Sequence, residues 1–452
     1  MIGRRLLAEL WMRARGARMR APALRRLREA KLRRLVRHAG TTVPLYRDLW
    51  RRAGVDLDEI RTVEDLVRLP TVTREQLQAA GDGARSEVYR SGDLLCERTS
   101  GSSGRPLTLW MEPAHRDLRR SLFLRALAAA GYRPGRRLVL VREPGRELPA
   151  GLDWRQLAHD RPPEDLAEEI LRLRPAIVYG WVSVLRLVAE ALVDLPPHGS
   201  GPRGAGSFAE PSAPSGRGPR ALSSTSGDGR PALRASVLTT AEALDAAGRA
   251  LLERAFGGRV HEVYGSTELG MVGWQCGRGD GFHLAEDVAL LEAFDRRLDP
   301  AAGPRPLIAT NLELRAMPLV RYETGDVIGP VVAQACRCGS PRVRVTGFEG
   351  RLVDCLRLPS GRLVSPYRLT LALEGLAGLA RYRILQSAPA RIEVTYQSAA
   401  GADCEGIEAA VRSRLRTALG EPVEITVERR GDLRSEVGSK FRVVESRMGA
   451  CA

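Results

Sequence analysis

Apolar residues follow two alternating patterns in the middle of the chain. Segments with helical spacing cover residues 122–130, 165–173 and 244–255, and short continuous apolar runs cover residues 138–141, 176–179, 234–239 and 260–263. Spacing of three and four residues favours helices, whereas short apolar runs rich in β-branched residues favour buried strands. The alternation predicts an α/β domain with a largely parallel sheet.

The two ends of the chain have different patterns. The first forty residues are rich in arginine, with leucines at near-helical spacing (Leu24, Leu27, Leu32 and Leu35), and predict an amphipathic helix that ends before Gly40. After residue 350 the elements become shorter, with a turn at 359–362, strands at 392–396 and 423–427, and a helix at 407–419. We therefore expect a large N-terminal domain over 1–349 and a separate α+β domain over 350–452.

A stretch of Pro, Gly, Ser and Arg interrupts the predicted sheet at about residues 195–230 and contains almost no large apolar residue. Such a composition cannot bury enough apolar surface to offset the entropy of ordering the chain. It predicts a disordered insertion loop, which could serve as a lid or as a docking segment.

Length and composition narrow the class of protein. A chain of 452 residues with 44% hydrophobic residues is long enough for two or more domains, each with its own core. No apolar run approaches the roughly 20 residues of a membrane-spanning helix, and the basic N-terminus leads into further arginines rather than an apolar signal core. We expect a cytoplasmic protein without a membrane partner.

The formal charge of +16 raises the question of nucleic acid binding. The basic residues are interleaved with acidic ones and lack aromatic spacing, so we expect no nucleic acid partner. Only Lys31 and Lys440 are lysines among the 70 basic residues. Because a planar guanidinium cannot replace a compact ammonium at every position, a surviving lysine indicates a specific role.

The segment from Thr99 to Gly104 combines hydroxyl and glycine residues ahead of a strand-like run at 107–110. Glycines let backbone N–H groups approach an anion, and hydroxyls add neutral donors, so the composition is typical of a phosphate-binding loop. The pattern of a Walker loop is absent. A flexible turn has the same composition, and the segments that accompany this one decide between the two.

Three further motifs follow in the sequence, at 264–268 (YGSTE), 321–326 (RYETGD) and 350–351 (GR). In this order and at these separations they resemble the adenylate-forming superfamily, and specifically the phenylacetate-CoA ligase family with its capsule-biosynthesis relatives. Segments 42–46, 69–70 and 73–75 are similar to the N-terminal region of that family. The resemblance implies a large N-terminal adenylate-forming domain with mixed and parallel sheets, and a small mobile α+β lid domain.

The resemblance also implies a nucleotide site. The phosphates of ATP would be held by Thr99, Ser100, Gly101, Ser102, Ser103 and Gly104. The adenine would lie beside Ala241, Glu242 and Gly265 and stack on Tyr264. Asp326 would accept hydrogen bonds from the ribose hydroxyls, and Arg351 would reach the nucleotide from the hinge between the domains.

Three residues are implied as catalytic. Thr267 would contact the α-phosphate, Glu268 would bind Mg²⁺, and Lys440 would bridge the substrate carboxylate and the α-phosphate during adenylation. The implied reaction is the attack of a carboxylate oxygen on the α-phosphorus of ATP with release of pyrophosphate, which depends on positioning and electrostatics rather than on a protein nucleophile.

The implied function is ATP-dependent activation of a carboxylic acid as acyl-AMP, followed by transfer of the acyl group to a thiol, with CoA the usual acceptor. The hinge has valine at position 353 where many relatives are acidic, and the 359–364 loop is closer to capsule-type relatives. Transfer to an amine, a hydroxyl or a carrier protein is therefore an alternative, and a non-catalytic nucleotide-binding relative is a second one.

For the acid itself we expect an aromatic or other small apolar carboxylate, from the habit of the family. The pocket walls would be Tyr179, Gly180, Trp181 and Gly265.

Four of the possible metal ligands form a separate group: Cys276, His283, Cys336 and Cys338. Three thiolates and an imidazole match a closed tetrahedral zinc site, while unpaired cysteines are equally often simply buried. The resemblance implies a structural zinc ion at a comparable position. The remaining cysteines and histidines have no partners at recognisable spacing and receive no role.

Overall fold

The computed structural model describes residues 19–99, 106–144, 148, 152–194, 233–293, 305–399, 401–431, 433 and 443–448. The predicted insertion at 195–230, the residues Ser100 to Gly104 and Lys440 lie outside the described residues.

Helices occur along the whole described chain, most of them before residue 260. They are α1 (Ala21–Thr42), α2 (Pro44–Arg52), α3 (Arg74–Ala80), α4 (Pro113–Ala129), α5 (Pro163–Leu173), α6 (Val182–Asp194), α7 (Ala246–Phe256), α8 (Pro366–Leu373) and α9 (Cys404–Leu419). Several begin with proline at the first or second position, as α2, α4 and α5 do, where its missing N–H is not needed.

The strands of the first half are β1 (Leu95–Arg98), β2 (Thr108–Met111), β3 (Leu138–Arg142), β4 (Trp154–Ala158), β5 (Ile177–Trp181), β6 (Ala235–Thr240), β7 (Gly257–Ser266), β8 (Gly270–Trp274), β9 (Phe282–Leu284) and β10 (Ala289–Ala293). Those of the second half are β11 (Arg305–Asn311), β12 (Tyr322–Ile328), β13 (Arg344–Val345), β14 (Phe348–Arg351), β15 (Leu356–Arg357), β16 (Leu363–Val364), β17 (Leu379–Ala388), β18 (Arg391–Ser398), β19 (Glu424–Arg429) and β20 (Val444–Ser446).

The largest sheet has eight strands in the order β13-β9-β8-β7-β6-β5-β3-β4. Strands β4, β3, β5, β6 and β7 are parallel, and β8, β9 and β13 extend the sheet with antiparallel pairings. The predicted alternation of helices and strands is thus present, and each predicted strand in this region overlaps an observed one.

Helices cover both faces of this sheet. Val139 and Val141 of β3 pack with α5, α6 and α7 on one face, and Leu138 and Leu140 pack with α4 on the other. Because successive side chains of a strand point to opposite faces, a strand covered on both sides is apolar at every position. The short apolar runs of the sequence have this physical cause.

A second sheet of four antiparallel strands, β10-β11-β12-β14, lies beside a core formed by α1, α2 and the β1–β2 hairpin. Tyr46 at the centre of this core is fully buried, and its hydroxyl donates to the carbonyl of Pro318 at 2.9 Å and accepts from the N–H of Val320 at 3.0 Å. The N-terminal helices are therefore fastened to the segment that leads into β12.

The first helix differs from the prediction at its end, because α1 continues through Gly40 to Thr42. A Cβ atom on Gly40 would lie 2.6 Å from Leu57 Cδ1, so the glycine permits close packing rather than ending the helix. The helix ends at Val43, which precedes Pro44 and is extended.

The C-terminal elements form a sheet of four strands in the order β19-β18-β17-β20, with α8 and α9 packed around a core of their own. The predicted strands at 392–396 and 423–427 correspond to β18 and β19, and the predicted helix at 407–419 to α9. Arg381 of β17 pairs with Glu190 of α6 and connects this unit to the large sheet. Within the described residues, no helix combines the length and apolar character that crossing a membrane requires.

Candidate active site

Several of the predicted nucleotide-binding residues lie at one edge of the large sheet. The parallel strands β5, β6 and β7 end there, at Trp181, Thr240 and Ser266. In open α/β sheets, ligands bind outside the carboxyl ends of the parallel strands. A substrate site is therefore expected at this edge. Tyr179, Ala241 and Tyr264 lie on or directly after these strand ends.

The phosphate-loop candidate connects β1 and β2. Thr99 follows β1 and is buried, its N–H donates to the carbonyl of Leu107 at 3.0 Å, and its hydroxyl accepts from the N–H of Leu107 at 2.9 Å. These bonds close the hairpin immediately before the Ser/Gly segment. The ends of the loop are thereby held together, as a phosphate-binding loop requires.

Glu268 lies in the turn between β7 and β8, beside Thr267, and is buried. Its Oε1 accepts from Arg74 Nη2 at 2.9 Å and from the hydroxyl of Tyr322 at 3.4 Å. Its backbone carbonyl accepts from the side-chain amide of Asn311 at 3.3 Å. The carboxylate thus has a fixed direction toward the phosphate-loop side, and the sequence had given no role to Arg74.

Asp326 of β12 is held from two sides. The hydroxyl of Tyr264 donates to its Oδ2 at 2.7 Å, and Arg351 of the adjacent β14 forms an ion pair with Oδ1 at 3.7 Å. Burial and the nearby Asp326 carboxylate raise the pKa of Tyr264 well above its usual range, so the phenol remains a donor. The structure therefore brings together Tyr264, Asp326 and Arg351.

Phe348 is a neighbour that the sequence did not reveal. Its ring lies parallel to that of Tyr264, with centroids 3.5 Å apart and an angle of 7° between the planes. Phe348 begins β14, which carries the hinge residues Gly350 and Arg351. With one face of Tyr264 covered, an adenine could stack only on the opposite face unless Phe348 moves.

Ala241 and Glu242 directly follow β6. Ala241 has φ of +72°, a left-handed conformation that is uncommon for a residue with a side chain and often found at functional sites. The carboxylate of Glu242 accepts from the N–H of Ser183 at 2.6 Å and from its hydroxyl at 2.9 Å. Glu242 thus fixes the beginning of α6 at the same sheet edge.

The expected walls of an acyl pocket are partly aromatic. Tyr179 is buried, with its ring edge-on to that of Phe123 at 5.0 Å, while Trp181 lies 4.7 Å from the ring of His159. A Cβ on Gly265 would lie 2.6 Å from the carbonyl oxygen of Gly270, so only glycine fits there. Phe123 is a further aromatic neighbour that the sequence had not assigned.

The four predicted metal ligands meet at one point, which we call the cysteine cluster (Cys276, His283, Cys336 and Cys338). Their ligating atoms all lie within 4.8 Å of one another, with Cys276 Sγ 3.5 Å from Cys336 Sγ and Cys338 Sγ 3.4 Å from His283 Nε2. Neighbouring ligands of a tetrahedral zinc ion are separated by about 3.5–3.8 Å, whereas sulfurs of a disulfide are about 2.05 Å apart.

The protonation of His283 suits such a site. Burial lowers the pKa of this imidazole to about 4, and Arg344 and Arg342 contribute to the shift, so the ring is neutral at pH 7. A neutral imidazole is the form that ligates metals. The donor set and the distances therefore fit a zinc ion.

A second buried group lies close by, which we call the arginine cluster (Arg125, Asp287 and Arg342). Arg125 forms two hydrogen bonds of 2.9 Å with the carboxylate of Asp287, and Arg342 adds one of 2.6 Å. Both guanidinium groups lie 5.7 Å from the ring of Trp274, which on its other flank packs against His283 at 6.2 Å. The sequence had not predicted this cluster.

Lys31 has a structural role beside the arginine cluster. Its ammonium donates to the carbonyl of Asp287 at 2.6 Å and forms an ion pair with Glu313. A compact ammonium that serves a carbonyl and a carboxylate from different directions explains why arginine does not replace it here. Lys440, the other lysine, lies outside the described residues.

A known enzyme is similar in sequence to most of this chain. No protein-family model matches the sequence. The phenylacetate-coenzyme A ligase of Thermus thermophilus is 29% identical over 343 residues, which cover 74% of this chain and 71% of that enzyme. The sequence resemblance to phenylacetate-CoA ligases is confirmed.

Solved structures show the same fold. A 2-hydroxyisobutyryl-CoA ligase in its postadenylation state, bound to an acyl-AMP, superimposes with a TM-score of 0.73 over 96% of this chain and 92% of its own, at 19% identity. The same enzyme with CoA in the thioesterification state gives 0.59 at 18% identity, over 96% and 92%. An anthranilate-CoA ligase bound to anthranoyl-AMP gives 0.52 at 15% identity, over 79% and 67%. The expected α/β fold with a large N-terminal and a small C-terminal domain is confirmed.

Proposed function

We propose that this chain, similar in sequence to phenylacetate-CoA ligase and with the fold of adenylate-forming enzymes, is an ATP-dependent acid-CoA ligase. In the first step a carboxylate oxygen of the substrate attacks the α-phosphorus of ATP, and the bond to pyrophosphate breaks. In the second step the thiolate sulfur of CoA attacks the acyl carbon, and AMP leaves. One observation carries the proposal. Hydrogen bonds join Thr99 and Glu268 through Arg74, with Tyr322 also donating to Glu268, and a further one joins Tyr264 and Asp326, beside the carboxyl end of β7.

The nucleotide would occupy this site from its phosphates to its adenine. The segment from Thr99 to Gly104 would hold the phosphates, with Thr267 at the α-phosphate, since the hydrogen bonds of Thr99 close the loop at its base. Asp326 would accept hydrogen bonds from the ribose hydroxyls. Arg351 would contact the nucleotide from the strand that leads into the lid. The base would lie against Tyr264, Gly265, Ala241 and Glu242.

Glu268 is the proposed ligand of Mg²⁺. Its buried carboxylate, adjacent to the phosphate loop, is a hard oxygen donor of the kind that Mg²⁺ prefers. The cation would supply neutralisation of the phosphate charge that develops as pyrophosphate leaves. The protein would supply the direction of the carboxylate, through Tyr322 and Arg74.

Lys440 is the proposed cation at the reacting atoms. An ammonium that bridges the substrate carboxylate and the α-phosphate would offset their mutual repulsion and hold the attacking oxygen in line. Its survival in a chain with two lysines among 70 basic residues supports a role that arginine cannot fill. A boundary between the domains at residues 349 and 350 would let the lid carry this lysine into the site.

The cysteine cluster is the proposed structural zinc site. With four protein ligands in a tetrahedral set, it would leave no open position for substrate or water. The ion would join the segment after β8, strand β9 and the loop before β13.

For the acid we propose an aromatic or other small apolar carboxylate. Tyr179 and Phe123, in edge-to-face contact near the end of β5, offer apolar surface with defined aromatic geometry, whereas Trp181 packs with the core on the other face of the sheet. If the acyl pocket is too small for an aromatic ring, it would still accept short branched acids.

The test is release of pyrophosphate from ATP and Mg²⁺ in the presence of a panel of aromatic, aliphatic and amino acids, with and without CoA. We expect release with at least one apolar acid, and a thioester product when CoA is present. Acyl-AMP that is consumed by an amine, a hydroxyl compound or a carrier protein but never by CoA would contradict the proposed acceptor. No release with any acid would contradict adenylation.

Variants of Lys440 sharpen this test. We expect Lys440→Ala to lower the rate of pyrophosphate release by at least about 100-fold, because the contact of Lys440 matters in the transition state, while ATP binding measured by calorimetry changes little. Lys440→Arg keeps the charge and should restore little activity. Full activity of either variant would refute the assigned role.

A further inference from the structure

Arg74 has a firmly fixed backbone. It is the first residue of α3, and Thr73 before it forms a capping box with Gln76, with bonds of 3.2 Å and 2.9 Å. One residue earlier, Val72 is hydrogen-bonded to the segment at β12 through Arg321 and Glu323, at 3.0 Å and 2.9 Å. A capping box satisfies the free donors at a helix start and fixes where the helix begins.

The guanidinium of Arg74 connects three motifs that are far apart in sequence. Nη1 donates to the hydroxyl of Thr99 at 3.0 Å, and Nη2 donates to Oε1 of Glu268 at 2.9 Å. The group also hydrogen-bonds with the hydroxyl of Tyr322. The hydroxyl of Thr99 and the carboxylate of Glu268 are thus held at a fixed separation by one rigid planar fork.

Because the pair is buried, Arg74 is important for the direction of the Glu268 carboxylate. The exposed fractions of the Arg74 and Glu268 side chains are 18% and 9%. Without the guanidinium, the buried carboxylate would keep the longer 3.4 Å bond from Tyr322 and no contact with Arg74. The direction of the carboxylate and its distance from the Thr99 hydroxyl would then no longer be set by a shared donor.

We propose that Arg74 is a positioning residue for the metal and phosphates of bound ATP. It fixes the direction of the Glu268 carboxylate, and it holds the Thr99 hydroxyl at a set distance from that carboxylate. The two contacts of Oε1 leave a carboxylate able to ligate a cation through Oε2, since its two oxygens offer about four lone-pair positions. This role rests on the ATP and Mg²⁺ site proposed above.

The experiment compares the affinity of the full chain for ATP with Mg²⁺ and for ATP in EDTA, by isothermal calorimetry. The variants are Arg74→Gln, Arg74→Lys and, as a matched control, Arg28→Gln. Arg28 pairs with Glu286 at exposed fractions of 20% and 8%, so it resembles Arg74 in burial and partner, and neither residue belongs to the proposed nucleotide site. Thermal unfolding of each variant establishes that it is folded at the assay temperature.

We expect the native chain to bind ATP more tightly when Mg²⁺ is present. In Arg74→Gln the increase in ATP affinity caused by Mg²⁺ should be about 10- to 100-fold smaller. This is the range seen when groups that orient metal ligands are removed. Arg74→Lys should recover part of it, because an ammonium keeps the charge at Glu268 but cannot fork to Thr99. Arg28→Gln should keep the full gain even if its unfolding temperature falls.

Different failures have different meanings. If Arg74→Gln keeps the full gain from Mg²⁺, or if Arg28→Gln loses as much as Arg74→Gln, the positioning role is wrong although the ATP site stands. If the native chain binds ATP equally with and without Mg²⁺, the role is wrong as well. If the native chain binds no ATP in either condition, the proposed function itself fails and this role fails with it.

Discussion

The arginine cluster and the cysteine cluster flank the same tryptophan, Trp274, but their chemistry is opposite. In the arginine cluster both oxygens of one carboxylate accept hydrogen bonds from two guanidinium groups, so the carboxylate is paired within the protein. In the cysteine cluster four donor atoms converge with no protein cation among them. A buried polar group that is complete by itself indicates a structural role, whereas a convergent set of ligand atoms indicates a bound ion.

The largest expected effect comes from breaking the arginine cluster. Asp287→Ala leaves Arg125 and Arg342 buried without their carboxylate and should lower the free energy of unfolding by about 3–5 kcal/mol, measured by chemical denaturation. Burial alone would raise the pKa of Asp287, but the two guanidinium groups hold it well below its usual range. The cluster should therefore keep its stabilising effect as the pH falls from 8 to 5, lose it progressively below the ordinary aspartate pKa of 3.8, and lose it fully below the lowered pKa of the folded state.

The control for this prediction is a group at the surface that also consists of one aspartate and two arginines. Asp153 also faces two arginines, Arg137 and Arg155, at 2.9 Å and 3.3 Å, but all three side chains are about one-third exposed or more. Asp153→Ala should cost less than about 1 kcal/mol, as exposed ion pairs do. Equal costs for the two aspartates would mean that burial does not distinguish the arginine cluster.

Removal of the metal should give the next largest effect. We expect about one zinc ion per chain by elemental analysis, and a loss of about 2–4 kcal/mol in stability on treatment with a chelator, the contribution of a ligand present at 100 to 1,000 times its dissociation constant. The double variant Cys336→Ser/Cys338→Ser should be destabilised to a similar degree and should not respond to the chelator.

Cys404→Ser is the matched control for the loss of thiols, since Cys404 is partly buried like Cys276 but lies in α9, away from the cluster. It should bind zinc and respond to the chelator as the native chain does. Native protein without zinc and without a response to the chelator would show that the four ligand residues are simply packed together.

The smallest expected effect comes from Trp274, which the two clusters share. Trp274→Phe weakens the contact of the ring with two cations and should cost about 1 kcal/mol more than Trp50→Phe. Trp50 is also buried, but its ring packs against Tyr46 at 5.0 Å rather than against an arginine. Equal costs in thermal or chemical unfolding would indicate that only ring size matters at position 274.

The difference between local patterns and contacts of distant segments explains how much the sequence could predict. Helices and strands of the large sheet followed from local spacing, because each of them buries a face with its own periodicity. The Tyr264, Glu268 and Asp326 motifs were recognisable because each is short and contiguous. Gly40 was misread as the end of a helix, since a local signal cannot show that Leu57 packs against it.

Contacts between distant segments could not be predicted in this way. Arg74 reaches Glu268 across 194 residues, and Arg125 reaches Asp287 across 162. In a chain with so many arginines, nothing local separates those two from the exposed ones. The pairing of Phe348 with Tyr264 likewise depends on how β14 lies beside the large sheet.

The pairing of β12 with β14 restricts how this protein can change its length over evolution. Asp326 faces Arg351 in the register of the two antiparallel strands, at the last residue before the short helix Leu352–Asp354. Side chains alternate between the faces of a strand, so one inserted or deleted residue in either strand would turn Asp326 or Arg351 to the wrong face. Substitutions can accumulate here, whereas insertions and deletions should be confined to the loops on either side.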